Sequence, residues 1–270
     1  MVVTRNYSTG SLTTRRRDWQ KPFETLRDKW IEIPTSRSGR RRTIDLIKLS
    51  DEKLLAEWMT SREDITTGSQ FSHRGWYHTL YADGMRGKEV LDIGCGFGID
   101  GITFAQHGAK VTFVDLAESN LLVVQRLCKM LGLRNTRFLL LQDINSLGEL
   151  HREYDVIMAM GSLHHAPFEV IKPEAYELLK HLKIGGRWLQ LAYPKTRWIK
   201  AGKPPFDKWG EMTDGIGTPW AEWYDSSKLL ELLRPARLEV VLCLEFHNSN
   251  FIWFDLLFEG WDTEDGGEHN

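Results

Sequence analysis

Apolar residues recur along this chain in two patterns, and between residues 88 and 192 the two alternate. Short contiguous apolar runs at 88–93, 110–115, 136–141, 154–160 and 187–192 have the length and the β-branched and aromatic content of strands buried on both faces. Between them, 99–107 and 118–131 carry apolar residues at helical spacing and stop at Gly108 and Gly132, residues suited to the left-handed turn that ends a helix. A third helix is expected over 173–182, with Pro173 in its first turn, where the missing N–H would be unpaired anyway. This alternation with short links predicts a parallel sheet covered on both faces. Residues 238–246 and 251–258 read as two closing strands paired antiparallel. Upstream, 49–59 reads as a helix opened by Ser50, with Leu54, Leu55 and Trp58 on one face. No internal repeat is visible.

The link between the first strand and its helix carries the chemistry. It reads Asp92-Ile-Gly-Cys-Gly-Phe-Gly98, and glycines at alternate positions let the backbone approach a ligand while the helix start offers unpaired N–H donors. The spacing Gly96-x-Gly98-x-x-Gly101 also satisfies the dinucleotide fingerprint, so the glycines alone leave a nucleotide-dependent oxidoreductase open. Three strand-end acids add to the picture. Asp92 can accept from the ammonium of a zwitterionic ligand or fix the loop through backbone N–H groups. Asp115 can take both hydroxyls of a ribose. Asp143 suits an exocyclic adenine amine.

Taken together, these residues resemble the class I S-adenosylmethionine-dependent methyltransferases. The resemblance runs through Val90-Leu-Asp-Ile-Gly-Cys-Gly-Phe-Gly98, Asp115, Asp143, then residues 154–165 ending in Gly161-Ser-Leu-His-His165, then Leu182-Lys-Ile-Gly-Gly-Arg-Trp188. It implies a doubly wound, Rossmann-like α/β fold, with a mostly parallel seven-stranded sheet and one antiparallel strand. It implies S-adenosylmethionine as cofactor and S-adenosylhomocysteine as product. Asp92, Gly94, Gly96 and Gly98 would then line the methionine part, Asp115 the ribose and Asp143 with Ile144 the adenine, with Leu116, Asn120 and Gly161 as further cofactor contacts. Tyr77 and Arg74, from the His-, Trp- and Tyr-rich stretch before the first strand, are expected to touch cofactor or acceptor.

Composition narrows the class. At 270 residues, 41% hydrophobic and 27% charged, the chain is an ordinary globular protein with no apolar run long enough for a membrane helix. Cys95, Cys128 and Cys243 are distant and odd in number, which argues for a reducing, cytoplasmic setting and against a disulfide framework; no metal-ligand spacing occurs. The net charge of −2 is uneven: residues 1–48 hold 12 Lys or Arg against 5 acids, and 205–270 hold 4 against 14. Arg15-Arg-Arg17, Arg37 and Arg40-Arg-Arg42 read as a solvated basic arm, with a phosphorylated or nucleic-acid partner as the sharper alternative, and the first 17 residues also have the composition of an organelle transit peptide. The expected organisation is a partly disordered arm over 1–45 with an amphipathic piece near 19–31, a helical cap over 46–85, a catalytic domain over 86–260, and an acidic tail over 261–270.

A long link over 193–224, rich in tryptophan, follows the fifth strand and is expected to hang over the ligand-binding edge as an acceptor lid. Tyr193, Trp220, Trp223 and Tyr224 are its candidate acceptor contacts. Methyl transfer to oxygen needs a base, and His165, then His164 and His247, are the candidates. The aromatic faces suit a sugar or a planar small molecule, nucleic acid is disfavoured by the acidic balance, and the transfer is read as O-methylation with N-methylation as its variant. A scaffold that binds the cofactor without catalysis is the remaining alternative.

Overall fold

The computed structural model describes residues 20–35, 39–68, 71–150 and 153–262. Seven strands form the central path: β3 (Glu89–Ile93), β4 (Lys110–Asp115), β5 (Thr136–Leu140), β6 (Tyr154–Met160), β7 (Leu182–Pro194), β9 (Ala236–Phe246) and β10 (Phe251–Trp261). Their order is β5-β4-β3-β6-β7-β10-β9, and a two-residue β8 (Trp223–Tyr224) pairs with the end of β7. All neighbours on the path from β5 to β7 run parallel, while β10 lies antiparallel to both β7 and β9. The expected mostly parallel sheet with one reversed strand is therefore present. β3 is buried at every position, as a central strand covered on both faces must be.

Two apolar clusters flank the sheet. One gathers α7 (Phe168–Leu179), α10 (Ser226–Leu233) and the sheet residues facing them; the other gathers α5 (Ile99–Gln106), α6 (Glu118–Met130) and the cap helices. The cap consists of α2 (Thr43–Leu46), α3 (Asp51–Thr66) and α4 (Trp76–Tyr81). Ser50 opens α3 as expected, its hydroxyl accepting from the Lys53 N–H. That helix runs on to Thr66, beyond the apolar stripe that revealed it.

Two expectations are corrected. α7 starts at Phe168, so Pro173 lies inside the helix and not in its first turn; the apolar face that opens α7 merges with the loop before it and hides the start. The amphipathic piece expected near 19–31 is present as α1 (Gln20–Trp30), but the rest of the expected arm up to residue 45 is not loose where it is described: a hairpin of β1 (Glu32–Pro34) and β2 (Arg40–Arg42) and then α2 follow. Leu26, Ile33 and Leu46 are buried in the body's clusters, so apolar anchoring overrides the polar composition. Arg40 and Arg41 pair with Asp214 and Glu57 instead of standing in solvent. Arg15, Arg16, Arg17 and Arg37, and the acidic run from 263 onward, lie outside the described residues. No helix among the described residues is long and apolar enough to cross a membrane.

Candidate functional site

The carboxyl ends of β3, β4 and β6 open on a cavity of about 370 Å³. Its floor is the glycine turn with Gly94, Cys95 and Gly96, together with Asp115, Leu116 and the 160–166 segment after β6. Its roof comes from the beginning of the chain: Leu26 and Trp30 on α1, Ile33 and Pro34 on β1, and Arg40 on β2. Gly96 (φ +53°) and Gly161 (φ +77°) both line this space, with backbones in the left-handed region. A Cβ on Gly96 would come no closer than 3.7 Å to any neighbour, and one on Gly161 no closer than 3.6 Å, so side chains there would fill the cavity and not clash with the wall.

The acids around the turn serve different ends. Asp115 accepts from the N–H of Ala117 (2.9 Å), the N–H of Gly96 (3.0 Å) and the Asn120 amide (3.0 Å), with the Cys95 thiol 3.7 Å away. Burial raises its pKa against the pull of those donors. Asn120 also donates to the Trp30 carbonyl, which ties the roof to the floor. Asp92 is buried beneath the turn and off the cavity wall, its Oδ2 without a hydrogen-bond partner; burial, then Asp100 and Asp115, push its pKa well up. Asp100, in the first turn of α5, accepts from Arg74 (3.1 Å) and Tyr77 (2.7 Å) and meets His78 Nε2 at 2.6 Å. Burial opposes its ionisation, but these partners overcome the penalty and hold its carboxyl below the usual range.

At the opposite end, side chains from four elements converge. Asp214, closing α9 (Phe206–Asp214), accepts from Arg40 (2.6 Å) and from the Tyr193 hydroxyl (2.7 Å), and its Oδ2 lies 3.9 Å from His165 Nε2. His165 Nδ1 lies 3.3 Å from the Trp220 carbonyl. A carbonyl only accepts, so this contact places the proton on Nδ1 and leaves the Nε2 lone pair free beside Asp214. Burial lowers the His165 pKa and Asp214 opposes the drop, so the imidazole is neutral at physiological pH. Arg197 lies 4.1 Å over the Tyr193 ring, and Trp30 packs 4.3 Å from His165. His164 is buried against Tyr193 with neither ring nitrogen in hydrogen-bond geometry; burial, then His165 and Arg197, push its pKa well down.

Of the residues expected from sequence, Gly94, Gly96, Asp115, Leu116, Asn120, Gly161, Arg74, His164, His165 and Tyr193 share this wall. Others lie off it. Gly98 caps α5 and packs on Val124, and Tyr77 is stacked on Trp253. Asp143 is exposed and caps the turn Ile144–Glu149, accepting from Ser146. His247 sits in the β9–β10 turn beside His73. Trp220 donates to Glu222, Trp223 stacks with Lys195 and Lys228, and Tyr224 is buried in the core, so the link over 193–224 reaches the cavity through Tyr193, Arg197, Thr213 and Asp214. Sequence reasoning missed Trp30, Arg40, Glu174, Arg197 and Asp214. Asp214 carried a faint signal, as an acid inside a tryptophan-rich link; Arg40 was hidden in a basic run, and nothing in the sequence marks the roof.

Residues 90–186 match the family model described as a methyltransferase domain. Over that stretch the chain is similar to methyltransferase domains. The ubiquinone biosynthesis O-methyltransferase of Idiomarina loihiensis is 35% identical over 109 residues, 40% of this chain and 43% of that protein. Its counterpart from Proteus mirabilis is 39% identical over 88 residues, 32% of this chain and 35% of that protein. The matched stretch therefore spans less than half the length of these curated relatives. Among solved structures, a Burkholderia thailandensis 1,6-didemethyltoxoflavin-N1-methyltransferase with S-adenosylhomocysteine bound aligns with TM-score 0.51 at 19% identity, over 81% of this chain and 89% of that one. The [4+2]-cyclase SpnF aligns with TM-score 0.50 at 21% identity, over 65% and 60%. At such identities the likeness is one of fold, and the domain's fold hosts more than one reaction.

Proposed function

We propose that this chain transfers a methyl group from S-adenosylmethionine to a hydroxyl of a small-molecule or sugar acceptor, with an amine as the variant acceptor. The observation that carries this reading is the single cavity joining the glycine turn and Asp115 at one end to the free His165 Nε2 at the other. The residues fit the cofactor. Gly96 and Gly161 leave a cradle that any side chain would fill, and Asp115 stands at the strand end where ribose hydroxyls would join or replace its loop donors. Arg74, on the same wall, would hold the carboxylate of the methionine part.

When bound, the cofactor supplies an electrophilic methyl carbon on a sulfonium, so the protein's work is alignment more than acid–base chemistry. His165 Nε2 takes the acceptor proton, and Asp214 stabilises the resulting imidazolium. Tyr193 and Arg40 orient Asp214, while Trp30 and the roof exclude water. His164, pressed neutral between His165 and Tyr193, shapes the wall. The names of the curated relatives support oxygen as the receiving atom.

Calorimetry with S-adenosylmethionine, S-adenosylhomocysteine and reduced nicotinamide cofactors tests the class: the sulfur ligands should bind and the nicotinamides should not. A panel of hydroxylated acceptors with tritium-labelled donor then tests the reaction. Binding of nicotinamides alone, or donor binding with no labelled product from any acceptor class, would defeat it.

A further inference from the structure

Glu174 lies on the cavity wall on α7, one helical turn after Val170 and Ile171, which face the same space. It is 4% exposed and, among the described residues, has no hydrogen bond or ion pair. Buried carboxyls without partners are rare, because the group loses water and gains nothing in return. Its surroundings are apolar: Leu26, Leu141, Leu163 and Ile171 belong to one cluster, with Leu116 and Val170 packed on it. The cavity thus has a polar end at Asp214 and His165, and an apolar slot with one unpaired carboxyl.

We propose that Glu174 is the residue that reads the adenine edge of the cofactor, as a neutral acid donating its O–H to N1 and accepting from the N6 amine. This inference rests on the proposed reading of the cavity as an S-adenosylmethionine site. A protonated carboxyl presents a donor and an acceptor side by side, whereas a carboxylate only accepts and would oppose the N1 lone pair. Adenine presents the complementary pair, and its flat ring suits the leucine-lined slot. Asp143, the acid expected for the amine, is exposed and engaged in capping.

Burial alone raises the Glu174 pKa, to about 7. The charged groups on the neighbouring elements are engaged elsewhere: on α10, Lys228 pairs with Glu222 and Glu231 with Lys172. At the cavity's floor Asp115 is held by its loop donors. The acid form is therefore the binding form up to neutrality, and affinity falls as pH rises through about 7.

Calorimetry with S-adenosylhomocysteine from pH 6 to 8.5 is the test, on the wild type, Glu174→Gln and Glu174→Leu. Wild-type affinity should fall about tenfold across the alkaline half; Glu174→Gln, whose amide offers the same donor and acceptor, should bind with a flat profile; Glu174→Leu should bind about tenfold more weakly at pH 6. The 1-deaza analogue of the ligand, with C–H in place of N1, should lose affinity for the wild type and not for Glu174→Leu. Thermal melts verify that each variant is folded, and the near-isosteric Gln variant keeps the test valid if Leu fails. Equal binding by Glu174→Leu, an alkaline loss that persists in Glu174→Gln, or a deaza penalty independent of Glu174 would overturn the inference and leave the cofactor site standing. No binding of S-adenosylhomocysteine by the wild type would overturn both.

Discussion

In the proposed reaction His165 would be a weak base and Asp214 the acid that supports it. Burial lowers the His165 pKa and Asp214 limits the depression, so as a base it would give the pH profile a depressed acid limb. His165→Ala should reduce kcat by roughly a hundredfold or more while S-adenosylhomocysteine affinity stays unchanged. Asp214→Asn removes the group that stabilises imidazolium, so the acid limb of kcat/KM should move to lower pH and the plateau should drop about tenfold. A limb that does not move would place the proton transfer elsewhere. Glu174 gives a stability prediction from the same physics. Its pKa rises from 4.5 unfolded to about 7 folded, so the folded state binds more protons, and stability present at acid pH is lost as pH climbs through that window. Glu174→Gln should therefore gain on the wild type by about 3 kcal/mol between pH 4 and pH 8, read by denaturant unfolding.

At the scale of elements, strand ends and their turns carry most of what the sequence made legible. The runs at 110–115 and 154–160 coincide with β4 and β6 because buried parallel strands need contiguous apolar residues, which leave an unambiguous trace. Asp115 was visible for the same reason, standing where an apolar run stops. Its carboxylate gathers Gly96, Ala117 and Asn120, so Asp115→Ala should weaken cofactor binding by about 1–3 kcal/mol and raise hydrogen exchange at Gly96 and Ala117. Unchanged affinity in calorimetry would remove Asp115 from the ribose. Asp143, His247 and Trp223 were legible as residue types but not as placements, since capping, a left-handed turn and lysine stacking satisfy those side chains locally. Glu174 left no trace at all: one acid in an amphipathic helix reads as a solvated position until the fold buries it.

At the scale of the whole molecule, segments distant in sequence meet over the site. Arg40 near the beginning and Asp214 near the end pair at 2.6 Å, and Trp30 covers His165. These contacts were invisible in sequence because their partners lie more than a hundred residues apart and depend on the sheet between. Trp30 fluorescence should report ligand entry: a change on adding S-adenosylhomocysteine that vanishes in Trp30→Phe. Arg40→Ala should leave the far-ultraviolet spectrum intact and speed ligand dissociation several-fold, since a paired, partly buried ion pair holds the segment down. Unaltered dissociation would show that the hairpin stays closed without it. Because α1 and the β1–β2 hairpin lie over the cavity, a cofactor seated against Asp115 would rest beneath them and its exchange would require their displacement. In the proposed reaction the pace of turnover would then be governed from α1 and the hairpin, far in sequence from the atoms that react.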